Sequence, residues 1–147
     1  MRLRLALLTN DLAHRFMVSS SVVSSVFTTW IKLIALEMKW LIHWSDRNII
    51  RRNLRSMFRK YYPNCCIIID CSELRIESPS ALDIAATCWS NYKHHSTVKY
   101  LVGISSNGAI SFLSDYYGGR TTDVFIVNDC GFLKQLQPRD CLIASYG

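Results

Sequence analysis

The chain has no Cys-x-x-Cys pair, and none of its six cysteines stands at a Cys/His spacing that suits a zinc site. Cys65, Cys66, Cys71, Cys88, Cys130 and Cys141 fall largely in or beside apolar stretches, where a free thiol behaves as a small hydrophobe. This pattern argues against a disulfide framework and points to a reducing compartment. Long uncharged hydrophobic runs are also missing. The most apolar long stretch, residues 31–42, carries Lys32, Glu37 and Lys39, and is too short and too charged to span a bilayer. Residues 5–8 are too few for the apolar core of a signal peptide, so no membrane insertion is expected. Acidic residues are scarce in the first half. Residues 1–69 hold eleven Lys/Arg against three Asp/Glu, whereas residues 70–147 hold six against eight. A basic half joined to a carboxylate-bearing half suggests a polyanion partner, with nucleic acid first and an anionic membrane second. Half of the 147 residues are apolar, enough for one modest domain, or a small domain with part of another.

The basic half reads as helices. Residues 1–8 form a first helical stretch that begins without a capping residue. Residues 9–26 fit a helix-turn-helix. Leu12, Phe16, Val18, Val23 and Val26 fall where two helices pack, and Ala13 is small where they approach closely. Ser19 or Ser20 is a natural N-cap for the second helix. Ser20, Ser21, Val22, Ser24 and Ser25 then lie on the face that would enter a major groove. Met17 stands where the tight turn usually has Gly, at a cost of roughly 1 kcal/mol. The recognition helix has no Lys or Arg before Lys32, so phosphate contacts must come from elsewhere. Helix continues over residues 28–42. Ser45 is the expected N-cap of a further helix over about residues 48–61, with Ile50, Leu54 and Phe58 on one side and Arg47, Arg51, Arg52, Arg55, Arg59 and Lys60 making a phosphate-tracking surface. Tyr62-Pro63-Asn64 breaks it.

The second half reads as strands around one aspartate. Ile67-Ile68-Ile69 is a short β-branched run of the kind buried on both faces, with Asp70 at or just past its end. Alternation over residues 73–76 gives a half-exposed strand, stopped by Ser78-Pro79-Ser80. A short helix over residues 81–87 precedes the polar, aromatic and basic stretch Trp89-Ser90-Asn91-Tyr92-Lys93-His94-His95. Residues 98–104 and 109–113 form a hairpin about Ser105-Ser106-Asn107-Gly108. Gly118-Gly119-Arg120-Thr121-Thr122-Asp123 enters a helix with Thr122 or Asp123 at the N-cap. Gly131 stops that helix, residues 132–136 form a further turn, and residues 141–144 form a last buried strand that belongs beside the first. The fold class is therefore α+β: helix-turn-helix helices at residues 1–44, a basic helical linker at 45–63, and at 64–147 the β-β-β-α-β front half of a ribonuclease-H-like fold.

On these residues the chain resembles the DDE superfamily endonucleases of the PIF/Harbinger-like group, transposases of eukaryotic DNA elements. The resemblance rests on Ile68-Ile69-Asp70-Cys71-Ser72-Glu73, Glu77-Ser78-Pro79-Ser80, the 89–95 and 98–105 stretches, and Gly118-Gly119-Arg120-Thr121-Thr122-Asp123. Asp11-Leu12-Ala13-His14-Arg15-Phe16 and Phe27-Thr28-Thr29-Trp30-Ile31 are similar to the family's transposase-associated helix-turn-helix. The resemblance implies metal-dependent DNA cutting in the nucleus, with three Asp/Glu holding two Mg²⁺ or Mn²⁺ ions. Asp70 matches the first catalytic aspartate. Asp123 matches a characteristic aspartate after the third strand and is carried as a catalytic and metal-binding residue, with Glu73 as another holder of the ion. Ser20, Ser21, Ser24, Arg51, Arg52, Arg55 and Lys93 are the nucleic-acid-binding set, and DNA, a second copy or a full-length transposase are the implied partners. The match departs at Ala144-Ser145-Tyr146-Gly147, where Ser145 stands in place of the second aspartate. The third acid of the family falls past Gly147, and the first helix looks clipped at Met1. An incomplete catalyst, or a non-catalytic DNA-binding or interaction remnant, is the resulting expectation.

Overall fold

The computed structural model describes residues 2–144, which divide into two compact units between Leu41 and Ile42. The first unit holds α1 (Arg2–Leu5), α2 (Thr9–Phe16), α3 (Ser20–Glu37) and a 3-10 turn at Lys39–Leu41. The first helix is shorter than the sequence pattern suggests, because Ala6 turns left-handed at φ 50° just after it. Helices α2 and α3 are bent 108° from each other, within the range of a helix-turn-helix. Met17 sits in the left-handed region, at φ 53° and ψ 41°. Its N–H donates to the His14 carbonyl and that of Val18 to Ala13, the Schellman pattern that usually carries glycine. Ser19 caps α3, its hydroxyl accepting the Val22 N–H at 3.3 Å. The interface between the helices closes over Leu12 alone, at 6% exposure. Phe16, Val18 and Val26 remain more than two-fifths exposed, because two crossed helices cover only the residues nearest their crossing. No single described helix is long and apolar enough to cross a membrane.

The second unit begins with two short helices where the sequence reads as one. Asp46, not Ser45, caps α4 (Arg47–Arg52), and the chain straightens at Arg55 before α5 (Ser56–Tyr61). The break leaves carbonyls open, and the Arg59 guanidinium donates to those of Leu54 and Arg52 at 3.3 and 3.4 Å. Ile50 and Leu54 are both buried, and the stretch expected as a basic helical linker lies within the second compact unit. Arg47 in α4 also forms an ion pair with Asp140, whose other oxygen accepts from the Cys66 thiol.

The strands are β1 (Cys65–Arg75), β2 (Trp89–Ser90), β3 (His95–Ile104), β4 (Ile110–Leu113), β5 (Tyr117–Gly118) and β6 (Cys141–Ala144). Helix α6 (Leu82–Cys88) precedes β2, and α7 (Asp123–Asp129) with a 3-10 turn at Phe132–Gln135 precedes β6. β1 pairs antiparallel with β3, from Ile68↔Ile104 to Arg75↔Thr97, and parallel with β6, from Cys65↔Cys141 to Ile69↔Ala144. β4, β5 and β2 each pair antiparallel with β3. β1, β3, β4, α7 and β6 thus supply the β-β-β-α-β order of a partial ribonuclease-H-like fold in an α+β chain. The isoleucine run and the alternating stretch after it are one unbroken strand, so Asp70 lies inside β1 and not at its end. The core is Ile67, Ile69, Leu101, Ile126 and Phe132, with Phe112 and Trp44 edge-on to Phe132 at 5.2 and 6.0 Å. Phe132 is wholly buried, and burial of one such side chain stabilises by about 1.5–3 kcal/mol. Because Ile126 and Phe132 anchor α7 and the turn after it, they also fix where Asp123 stands.

Candidate active-site cleft

Asp70 is exposed on β1, and Asp123 is the first residue of α7. Both border one cleft of about 590 Å³, with Cys71, Val124, Asn128 and Ala144 also on its wall. Ile69↔Ala144, one residue before Asp70, is the last pair of β6 with β1 among the described residues. Thr122 fixes the start of α7, its hydroxyl accepting the Phe125 N–H at 3.3 Å. The loop before it is stitched to the sheet by Gly119 N–H to the Thr97 carbonyl and Arg120 N–H to the Thr87 carbonyl, at 3.0 and 3.1 Å.

The carboxylates do not converge on an open cation site. Side chains three apart on a strand point to opposite faces, so Asp70 and Glu73 cannot share an ion. Glu73 faces Lys99, its direct partner across the β1–β3 ladder. The Lys99 ammonium lies 3.4 Å from Glu73 Oε1 and 2.9 Å from Asp123 Oδ1. Its side chain is 15% exposed and that of Glu73 9%, whereas Asp123 is 52% exposed. Thr97 adds a hydroxyl bond to Glu73 Oε2 at 3.0 Å. Burial pushes the Glu73 carboxyl up, but bonds from Ser90, Thr97 and Lys99 outweigh it and hold the group below the ordinary carboxylate value. Burial likewise pushes Lys99 down, and Asp123 and Glu73 outweigh that and hold its ammonium above the usual lysine value. Cys71, between the two sides, is driven up to about 11 by burial first, then by Asp123, with Lys99 opposing and Asp70 adding. It is a thiol and not a metal-ready thiolate. Among the described residues no group of three His, Cys, Asp or Glu side chains could hold a metal ion. The donor set among the described residues therefore does not fit a two-ion centre. Ser145 lies outside the described residues.

Ser20, Ser21 and Ser24 are exposed on the first turns of α3, with Ser21 Oγ 2.9 Å from Ser19 Oγ. Arg51 and Arg52 close α4 and Arg55 precedes α5, so these three arginines do not line one helical face. Arg51 instead shares a polar hollow with Arg47 and Lys134. Lys93 is exposed in the turn between β2 and β3, its ammonium 4.5 Å from the centre of the Tyr92 ring. Sequence reading missed Lys99 as a partner of the site. The signal was available, since strand alternation puts Lys99 on the same face as the buried Thr97 and Leu101, where a charge needs a partner.

Comparison with known families agrees with this arrangement. The family model of the DDE superfamily endonuclease matches residues 69–147, more than half of the chain. The chain belongs to the DDE superfamily endonucleases. A second model, the helix-turn-helix of DDE superfamily endonuclease, matches residues 1–39, the unit built on α2 and α3. No curated protein and no solved structure matches the chain. The two matches make this a transposase-derived DDE endonuclease domain with its helix-turn-helix. DNA is the partner such a pair implies, and divalent cations are the cofactors on which the family's chemistry generally runs.

Proposed function

We propose that this DDE endonuclease domain engages DNA in the nucleus and is not a self-sufficient nuclease. The observation that carries this reading is the occupation of Asp123 by Lys99. The second carboxylate of the cleft is already neutralised by the protein's own cation, which leaves Asp70 as the exposed carboxylate free to meet Mg²⁺ or Mn²⁺. Ser145 adds to it, because a neutral hydroxyl does not replace a carboxylate shared by two dications. DNA contact falls to Ser20, Ser21 and Ser24 on α3, to Arg51, Arg52 and Arg55, and to Lys93. A second copy or a full-length transposase is the proposed source of carboxylates to act with Asp70.

Plasmid nicking in Mn²⁺ by the purified chain, beside Asp70→Asn, tests this. The proposal expects no nicking by either protein, with salt-sensitive duplex binding that survives Asp70→Asn and weakens when Arg51, Arg52 and Arg55 are neutralised together. Nicking by the chain and not by Asp70→Asn would show a complete catalyst and overturn it.

A further inference from the structure

A second cleft, of about 480 Å³, lies at the far end of β1 from the core and is bordered by Arg75, Glu77, Ser78, Trp89, His95 and Ser96. Trp89 is 45% exposed although its partner across the β2–β3 pair, Ser96, is buried. Ser96 is held by its own bond to Ser78, Oγ to Oγ at 3.3 Å, so the wall of the cleft is built without covering the indole. The turn beside it carries Tyr92, 78% exposed with the Lys93 ammonium above its ring, and then His94. His94 is held at φ 55°, a conformation that costs a non-glycine residue roughly 1–2 kcal/mol. An αL histidine in an exposed turn, where Gly or Asn would be unstrained, is a feature that function retains more readily than stability does.

The chemistry of this cleft is that of a nucleobase site. A half-exposed indole on the cleft wall can stack on any base, and such contacts are tolerant of sequence. The Glu77 carboxylate can accept from an exocyclic amine or ring N–H of a base edge, while Arg75, Lys93 and the histidines suit the adjoining phosphates. A carboxylate in the wall disfavours a phosphate lodged in the cleft itself and favours a base there. Arg75 lies five residues beyond Asp70 on β1, or about 17 Å at ~3.3 Å per residue, which is roughly five base steps of DNA.

We propose that the Trp89 cleft captures an unpaired base of the DNA held by this domain, at a fixed offset from the base that lies over Asp70. This inference rests on the reading that the domain engages DNA.

The test compares binding of the full chain to a blunt duplex, to the same duplex with a single-stranded overhang carrying 2-aminopurine, and to one whose overhang is abasic. The overhang with bases is expected to bind roughly 5- to 150-fold more tightly than the abasic one, with quenching of 2-aminopurine by stacking. Trp89→Ala should abolish both effects and leave blunt-duplex binding unchanged. Trp89→Phe should retain most of the preference, which separates stacking from loss of fold. Blunt and overhang duplexes bound alike, without quenching, overturn the base site and leave DNA binding standing. Equal binding of base-bearing and abasic overhangs shows phosphate recognition alone and also overturns it. A folded chain that binds none of the three overturns this inference together with the DNA reading.

Discussion

Replacing Lys99 with methionine tests the network that joins this lysine to Glu73 and Asp123. The substitution keeps the length and apolar stem of the side chain and removes the ammonium that joins Glu73 to Asp123. The two ion pairs differ in weight. Glu73 and Lys99 are 9% and 15% exposed, and stripping the cation from a buried carboxylate costs about 3–5 kcal/mol. Glu73 keeps the Ser90 and Thr97 hydroxyls, which places the loss near the low end, about 3 kcal/mol. Asp123 is half exposed, so its share is no more than about 1 kcal/mol. Lys99→Met should therefore cost about 3 kcal/mol, or about 12 °C at about 4 °C per kcal/mol for a unit of this size. Asp123→Asn should cost about 1 kcal/mol or less, and Glu73→Gln an intermediate amount, about 1.5 kcal/mol. Urea titrations followed by circular dichroism give the three values. The pH dependence carries a second signature. Glu73 titrates lower in the folded protein, so its contribution is complete above its ordinary value of 4.5 and is lost as pH falls through the depressed one. Lys99 titrates higher, so its contribution holds below 10.5 and is lost as pH rises through the raised value. Glu73→Gln should flatten the acid limb. If Asp123→Asn costs as much as Lys99→Met, or if Lys99→Met costs under about 1 kcal/mol, the buried pair is not the anchor and the argument fails.

Met17→Gly should raise the stability of the helix-turn-helix unit by about 0.5–1 kcal/mol, because relief of the left-handed strain exceeds glycine's added entropy. Thermal melts of the two proteins check the sign, and a loss of stability would contradict the turn geometry. Gly119→Ala should destabilise the sheet unit by about 3 kcal/mol. Its Cβ would collide with Thr97 Oγ1 and lie 2.8 Å from the Cys88 carbonyl, and backbone cannot step aside. Denaturant midpoints measure this, and since Thr97 also bonds Glu73, the acid limb should shift with it.

Much of this protein was legible in the residues themselves. The helix-turn-helix followed from Leu12, Ala13 and the Ser19 cap, and even the strained position fell on Met17, because caps and turns are local events governed by a few neighbouring dihedrals. The isoleucine run, the hairpin at Gly108 and the Thr122 cap marked the elements around Asp70 for the same reason. The β-β-β-α-β order placed the last strand beside the first, and the sheet shows that the two run parallel. What the sequence could not decide was which charges meet. Asp123 is 24 residues from Lys99, yet the β1–β3 register and the burial of Ile126 and Phe132 bring that lysine between Glu73 and Asp123. Tertiary packing likewise broke the basic helix at Arg55, where Arg59 could serve the freed carbonyls, and so dispersed arginines that helical periodicity had gathered. Local pattern determined the elements and their family. The pairing of Lys99 with Asp123 on the wall of the cleft depended on register and burial, and those exist only once the sheet has formed.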